Sequence, residues 1–177
     1  KMALTRQHTA LAESILQDQF GLQHDTFVIK ETKESRHNFV YWIDLSCPPS
    51  EPLGPISPRP FTCPIPSDTS RLIFRLPRGA VSLEESVRIR NEVAFLSLGR
   101  NALYSINPSL ISQVFDWADG DGTEFGNRWI LQEWKEGQTL STKDVESLDD
   151  KTQRFVLDQI AAVLKAFQDF RLPESVK

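Results

Sequence analysis

Apolar residues recur along this 177-residue chain with two different periods, and the switches between them mark out its elements. Over residues 5–20, Leu11, Ile15 and Leu16 fall on one narrow helical face, with Thr5 as a cap and Gly21 as a stop. A mostly polar lead-in helix is predicted, packed on the rest of the chain or serving as a partner-binding arm. Phe27 to Lys30 and Phe39 to Leu45 are rich in β-branched and aromatic residues, predicting two strands joined by Glu31 to Asn38. Another apolar strand follows Arg71, with Arg75 in its middle. Ser82-Leu-Glu-Glu85 has the form of a capping box, predicting a helix from Leu83 towards Leu98 that stops at Gly99, with Val87, Val93 or Ala94, and Leu98 on its buried face. Val114 to Trp117 and Trp129 to Gln132 read as a hairpin joined by Ala118 to Asn127. Finally, Asp149 or Asp150 caps a helix to about Phe170, closed by Pro173, whose Phe155, Ile160, Val163, Leu164 and Phe167 form a stripe expected to face a core.

Between Ser46 and Ser70 lie most of the chain's 11 prolines, with Gly54 as the only glycine. Proline lacks an N–H donor and fixes its φ angle, so an extended surface loop is expected there, not a ladder or a helix. Both cysteines, Cys47 and Cys63, belong to this stretch. A disulfide across the loop and two free thiols are both open, and free thiols are the commoner state in a chain of cytosolic character. No Cys/His cluster has zinc-ligand spacing. Asp119-Gly and Asp121-Gly lack the spacing and closing Glu of an EF-hand loop, and read as a solvated turn.

Composition narrows the classes of partner. A net charge of −4 argues against a nucleic-acid groove, which needs a basic excess to replace counterions. No apolar run approaches the roughly 20 residues of a membrane-spanning helix, and the first residues lack the apolar core of a signal peptide. One compact domain in a soluble, cytoplasmic protein is the expectation, with neither a nucleic acid nor a membrane as partner.

Two charges stand out against the apolar pattern. Arg75 lies within the strand Arg71-Leu-Ile-Phe-Arg-Leu-Pro-Arg-Gly79, and Glu92 within Arg90-Asn-Glu-Val-Ala-Phe-Leu96 on the following helix. The spacing fits an acid placed to meet a cation; it also fits Arg75 on a solvent-facing edge strand and Glu92 on a polar helix face, without contact. Arg128-Trp-Ile-Leu-Gln-Glu-Trp-Lys-Glu-Gly-Gln-Thr-Leu140 is then a strand running into a polar, glycine-bearing link.

Strand cation, helix acid and strand-to-hinge run, in that order, resemble the small lobe of kinase-like phosphotransferases. The chain resembles the aminoglycoside phosphotransferase and choline-kinase-like family, especially its fungal members, where strings such as R-I-P-R, R-N-E-V and I-L-M-E-Y-I-E-G-x-x-L occur. The resemblance covers roughly residues 26 to 172. It implies an α+β fold: a five-stranded, mostly antiparallel sheet with one packed helix over residues 26–133, interrupted by the proline-rich insertion 46–70. Residues 1–25 would be the lead-in helix, and residues 134–177 the hinge and the first helix of the large lobe.

The resemblance also implies a nucleotide site. Arg75 would contact the α- and β-phosphates in place of the usual lysine, steadied by Glu92, and its planar fork suits carboxylate and phosphate. Ser35, Arg36, His37 and Asn38 would occupy the phosphate-loop position, here without any glycine. Val40 and Ile73 would close on the edges of the base. Gln132 would precede the hinge, the Glu133 carbonyl and the Lys135 N–H would face adenine, and Gly137 would give the link its turn. ATP and Mg are the implied cofactors of a full-length phosphotransferase, neither being needed for folding.

Phosphoryl transfer in such enzymes needs an H-G-D-x-x-x-x-N-type loop from the large lobe. None of His8, His24 and His37 is followed by Gly-Asp. These 177 residues are therefore expected to cradle a nucleotide without turnover, and a small-molecule acceptor would bind only with the large lobe. The alternative reading is a non-catalytic, pseudokinase-like interaction module. On either reading, apolar surface at 155–167 would lack its cover, and a homodimer through the C-terminal helix is expected.

Overall fold

Residues 2–32, 37–78, 83–120, 128–137 and 141–171 are described by a computed structural model. The chain divides into two compact units, not the single one expected from its length: Lys1–Phe95 with Gln113–Trp134, and Leu96–Ser112 with Lys135–Lys177.

The first unit opens with helix α1, Met2–Phe20, which starts before the expected cap at Thr5. Its stop is where the sequence places it. Gly21 takes φ 66° and donates its N–H to the Gln17 carbonyl at 3.0 Å, a left-handed cap that a residue with a Cβ adopts only at a cost. Five strands follow: β1 Phe27–Glu31, β2 Asn38–Leu45, β3 Arg71–Pro77, β4 Val114–Asp119 and β5 Arg128–Glu133. They form one sheet in the order β1-β2-β3-β5-β4, with every neighbouring pair antiparallel. The fold is α+β.

Alternation along the strands separates the two faces of the sheet. Tyr41, Ile43 and Leu45 of β2, Leu72, Phe74 and Leu76 of β3, and Trp129 and Leu131 of β5 join Ala12, Ile15, Leu16 and Phe20 of α1 in one buried cluster. Each such large apolar side chain contributes about 1.5–3 kcal/mol by leaving water. Ile65 is fully buried in the same cluster, and Leu53 and Cys63 pack against it. The proline-rich segment is thus the surface loop expected, mostly exposed, but anchored to the core through Ile65. Proline bars it from a ladder, but an isolated bridge, Leu53 to Ile65, and an Ile56 N–H bond to the Gln19 carbonyl at 2.8 Å pin it against the core. Cys47 and Cys63 are free thiols.

Helix α2, Leu83–Ala102, runs straight through Gly99, its expected stop. A lone glycine inside a helix costs only about 1 kcal/mol, and packing offsets that. Val93 is buried as expected and Leu98 half-buried, but Val87 is exposed and Ile89 takes its place on the buried face. The expected capping box at Ser82 falls outside the described residues. So does most of the expected solvated turn, although Asp119 is not part of it: it ends β4 and accepts from Arg90 Nε.

In the second unit, α3, Thr142–Glu146, was not expected from the pattern, although Ser141 and Asp144 form a reciprocal capping box. Helix α4, Asp150–Asp169, starts as predicted, with the Asp149 carboxylate accepting from the Thr152 N–H at 3.0 Å. Its stripe does not reach a core. No α4 residue is buried, and Phe155, Ile160 and Leu164 are 62%, 50% and 58% exposed, while Val163 and Phe167 are half-buried. Pro173 lies outside the described residues. No helix among the described residues is long and apolar enough to cross a membrane.

Candidate functional site

Two cross-strand rows build the candidate site on the sheet face turned away from α1. In one row Val40 of β2 stands opposite Arg75 of β3, and Arg75 opposite Ile130 of β5; in the next, Trp42 stands opposite Ile73, and Ile73 opposite Gln132. Four of the residues singled out from the sequence, Val40, Ile73, Arg75 and Gln132, therefore share one face in adjacent rows. Ile73 is buried and Val40 half-buried.

The expected pairing of strand cation and helix acid is present. Arg75 Nη2 donates to Glu92 Oε1 at 2.7 Å, and Glu92 is brought there by Ile89 and Val93, which bury α2 on either side of it. Arg75 is not on a solvent-facing edge: its side chain is 19% exposed, and β3 is the middle strand of five. A second partner was not foreseen. The Gln132 Oε1 atom accepts from the same Nη2 at 2.6 Å, so the cation is held from the helix and from β5 together. Register alone could have found this, because Gln132 is diagonal to Arg75 across the β3–β5 pair.

Both of these bonds use Nη2. Arg75 Nε is buried with no hydrogen-bond partner. An orphaned buried donor on a paired cation suits an anionic oxygen, so the residues present fit a phosphate group better than a neutral one. For a metal ion the described residues offer less, since no group of three His, Cys, Asp or Glu side chains among them could hold one.

The remaining sequence candidates are placed differently. Ser35 and Arg36 lie outside the described residues. His37 is exposed, and its carbonyl accepts from the Arg78 N–H at 2.9 Å; the Asn38 carbonyl accepts from Arg78 Nε at 3.0 Å. Arg78 thus closes the base of the β1–β2 connection. Asn38 stands opposite Pro77, one row beyond Val40. The Glu133 N–H donates to the Gln113 carbonyl at 2.8 Å and the Glu133 carboxylate accepts from the Gln113 N–H at 3.0 Å, a clasp that ties the end of β5 to the start of β4. Lys135 is half-buried. Gly137 takes φ 159°, a positive value that favours glycine, and the residues 138–140 that would complete a turn lie outside the described residues.

Beside these rows lies a cluster that the sequence reading missed. Asp44 of β2 accepts from Lys30 Nζ at 2.8 Å and from Arg71 Nε, and these two hydrogen bonds hold its carboxyl below the usual carboxylate range. The Arg71 guanidinium carbon sits 5.0 Å from the ring centroid of Trp42 and 4.9 Å from that of Trp134. The available signal was register: Arg71 stands opposite Asp44.

No protein-family model matches the chain, and no match is found among curated proteins.

Proposed function

We propose that this chain is the nucleotide-binding small lobe of a phosphotransferase similar to the aminoglycoside phosphotransferase and choline-kinase-like family. The observation that carries the reading is the Arg75–Glu92 ion pair at 2.7 Å, formed between the middle strand of an antiparallel five-stranded sheet and the one helix that follows it. In that reading Arg75 bonds the phosphates through its buried Nε donor, Glu92 fixes the guanidinium, and Val40 and Ile73 line the base on the same face. Glu133 ends β5 and Lys135 follows it, where the base edge would be read. ATP with Mg is the ligand class. The acceptor is a small hydroxyl- or amino-bearing molecule, and its site would belong to a catalytic lobe outside these residues.

Isothermal titration with Mg-ATP tests this. Binding on the order of 0.1 mM or weaker is expected, since half of the site would be supplied from elsewhere and each tenfold loss is only about 1.4 kcal/mol. No heat and no chemical-shift change at millimolar nucleotide would exclude it.

A second reading is favoured by the Gln132 contact. With Glu92 and Gln132 both on Nη2, much of the Arg75 cation is satisfied within the protein, as suits a pseudokinase-like module that keeps the scaffold and binds a protein. Replacing Gln132 by Ala separates the two. Stronger nucleotide binding in the variant means that Gln132 competes with phosphate, whereas silence in both proteins favours the module.

A further inference from the structure

We propose that Arg71 is a positioning residue: it anchors Trp134 and thereby sets the segment after β5 that would receive the base of a nucleotide. This inference rests on the nucleotide-binding reading above.

Arg71 is the first residue of β3, and its guanidinium is aimed by the Asp44 carboxylate, which Lys30 holds from its other oxygen at 2.8 Å. Three adjacent strands thus fix one planar cation. That plane lies 4.9 Å from the Trp134 ring and 5.0 Å from the Trp42 ring, inside the distance at which a guanidinium is attracted by an indole face. Trp134 directly follows Glu133, the last residue of β5, so a ring held on Arg71 restricts how the chain leaves the sheet. Trp42 is opposite Ile73, one row from Val40 and Arg75, so the stack borders the face that holds the candidate site.

The sheet does not need this contact for pairing. β2 and β3 are already registered over seven positions, and the Trp42 ring that the stack uses remains 40% exposed. A lysine would keep the charge but lose the plane, and with it both the Nε–H bond to Asp44 and the stack. The arrangement is thus specific to arginine, and it joins the last residue of the first unit to three of its strands.

The test uses the 177-residue chain, titrated by chemical shift with Mg-ATP and, separately, with magnesium tripolyphosphate, which has the charges but no base. Arg71→Met should weaken ATP about tenfold, within the range of a desolvated cation–aromatic contact. Tripolyphosphate binding should not change. Trp134→Ala should match Arg71→Met, and Trp134→Phe, which keeps an aromatic face, should restore most of the ATP affinity. Equal losses for both ligands would mean that Arg71 merely supports the fold and would overturn the role, as would an unchanged ATP affinity. If the native chain binds neither ligand, the nucleotide reading falls and the base-receiving role falls with it. The anchor itself has its own readout in the Trp134 indole N–H signal: no shift of that signal in Arg71→Met would show that there is no stack.

Discussion

Arg59 Nη1 donates to Asp116 Oδ1 at 2.6 Å, joining the proline-rich segment to a carboxylate that is fully buried in β4. The Trp117 N–H gives the same oxygen a second donor at 2.9 Å, while Oδ2 is buried with no partner. Deleting Arg59 alone strands the carboxylate. Arg59→Ala should destabilise the chain by about 2–3 kcal/mol, below the figure for a fully buried pair because the arginine is partly exposed. The double variant Arg59→Met, Asp116→Leu should lose less than Arg59→Met alone. Urea unfolding of the three proteins checks the order.

A pH dependence follows from His8. Its Nδ1 is 2.8 Å from the Tyr41 hydroxyl and its ring lies 4.6 Å from Phe39, which docks α1 on the sheet. Burial lowers the pKa of His8, against the opposing pull of Glu31. Burial also pushes the Tyr41 hydroxyl up to about 12, so it keeps its proton through the whole range. A lowered folded value means that the unfolded chain binds the proton more readily. The stabilisation is therefore fully present above about pH 6.5 and is lost as pH falls through the lower folded value. Thermal melts between pH 8 and pH 5 should show a steeper fall for the native chain than for His8→Phe; parallel curves would remove His8 from the account.

Arg75 and Glu92 should separate binding from stability. Arg75→Met removes the only phosphate donor assigned to β3 and should abolish Mg-ATP chemical shifts. Glu92→Gln, which keeps a hydrogen-bond acceptor but drops the charge, should weaken binding by less, about three- to tenfold. Retained ATP binding in Arg75→Met would place the phosphates elsewhere.

Gly99 offers a substitution with an unusual sign. A Cβ built there would meet Ile111 at 3.6 Å and Phe167 at 3.7 Å, ordinary contact distances, and the residue lies inside α2. Alanine gains helix propensity without overlap. Gly99→Ala should stabilise the chain by up to about 1 kcal/mol, read as a raised melting temperature.

The exposed face of α4 should drive association. A few hundred Å² of apolar area at about 25 cal/mol per Å² gives several kcal/mol. Light scattering over a concentration series should show dimers of the native chain and monomers of Ile160→Glu with Leu164→Glu. A native monomer at high micromolar concentration would refute this.

Much of the framework was legible from periods and caps. The alternating runs at 39–45 and 71–77 became β2 and β3, and Asp149 capped α4, because these signals are local. Gly99 misled because a helix tolerates one weak residue when Ile89 and Val93 are already buried. The burial of Ile65 was hidden because proline content says what a segment cannot form, not where it lies. In the candidate site, the order of charges along the chain fitted the Arg75–Glu92 pair but also an arrangement without contact, and only the structure brings the two together. The Gln132 amide on Arg75 and the Arg71 stack on Trp134 required a register between strands distant in sequence, which periodicity does not carry.

β4 is an outermost strand of the sheet, yet all six of its residues are buried. The reason is the proline-rich segment: the Cys63 N–H reaches the Val114 carbonyl at 3.0 Å, and the Pro60 carbonyl takes the Trp117 indole N–H at 2.9 Å. A covering strand of ordinary composition would expose a new row of donors and acceptors, moving the open border outward by one strand. Prolines have no N–H to offer, so this cover ends the sheet instead of extending it. Where this cover meets β4, a neighbouring molecule finds the Val114 carbonyl already taken, which disfavours sheet-to-sheet polymerisation at that end of the border.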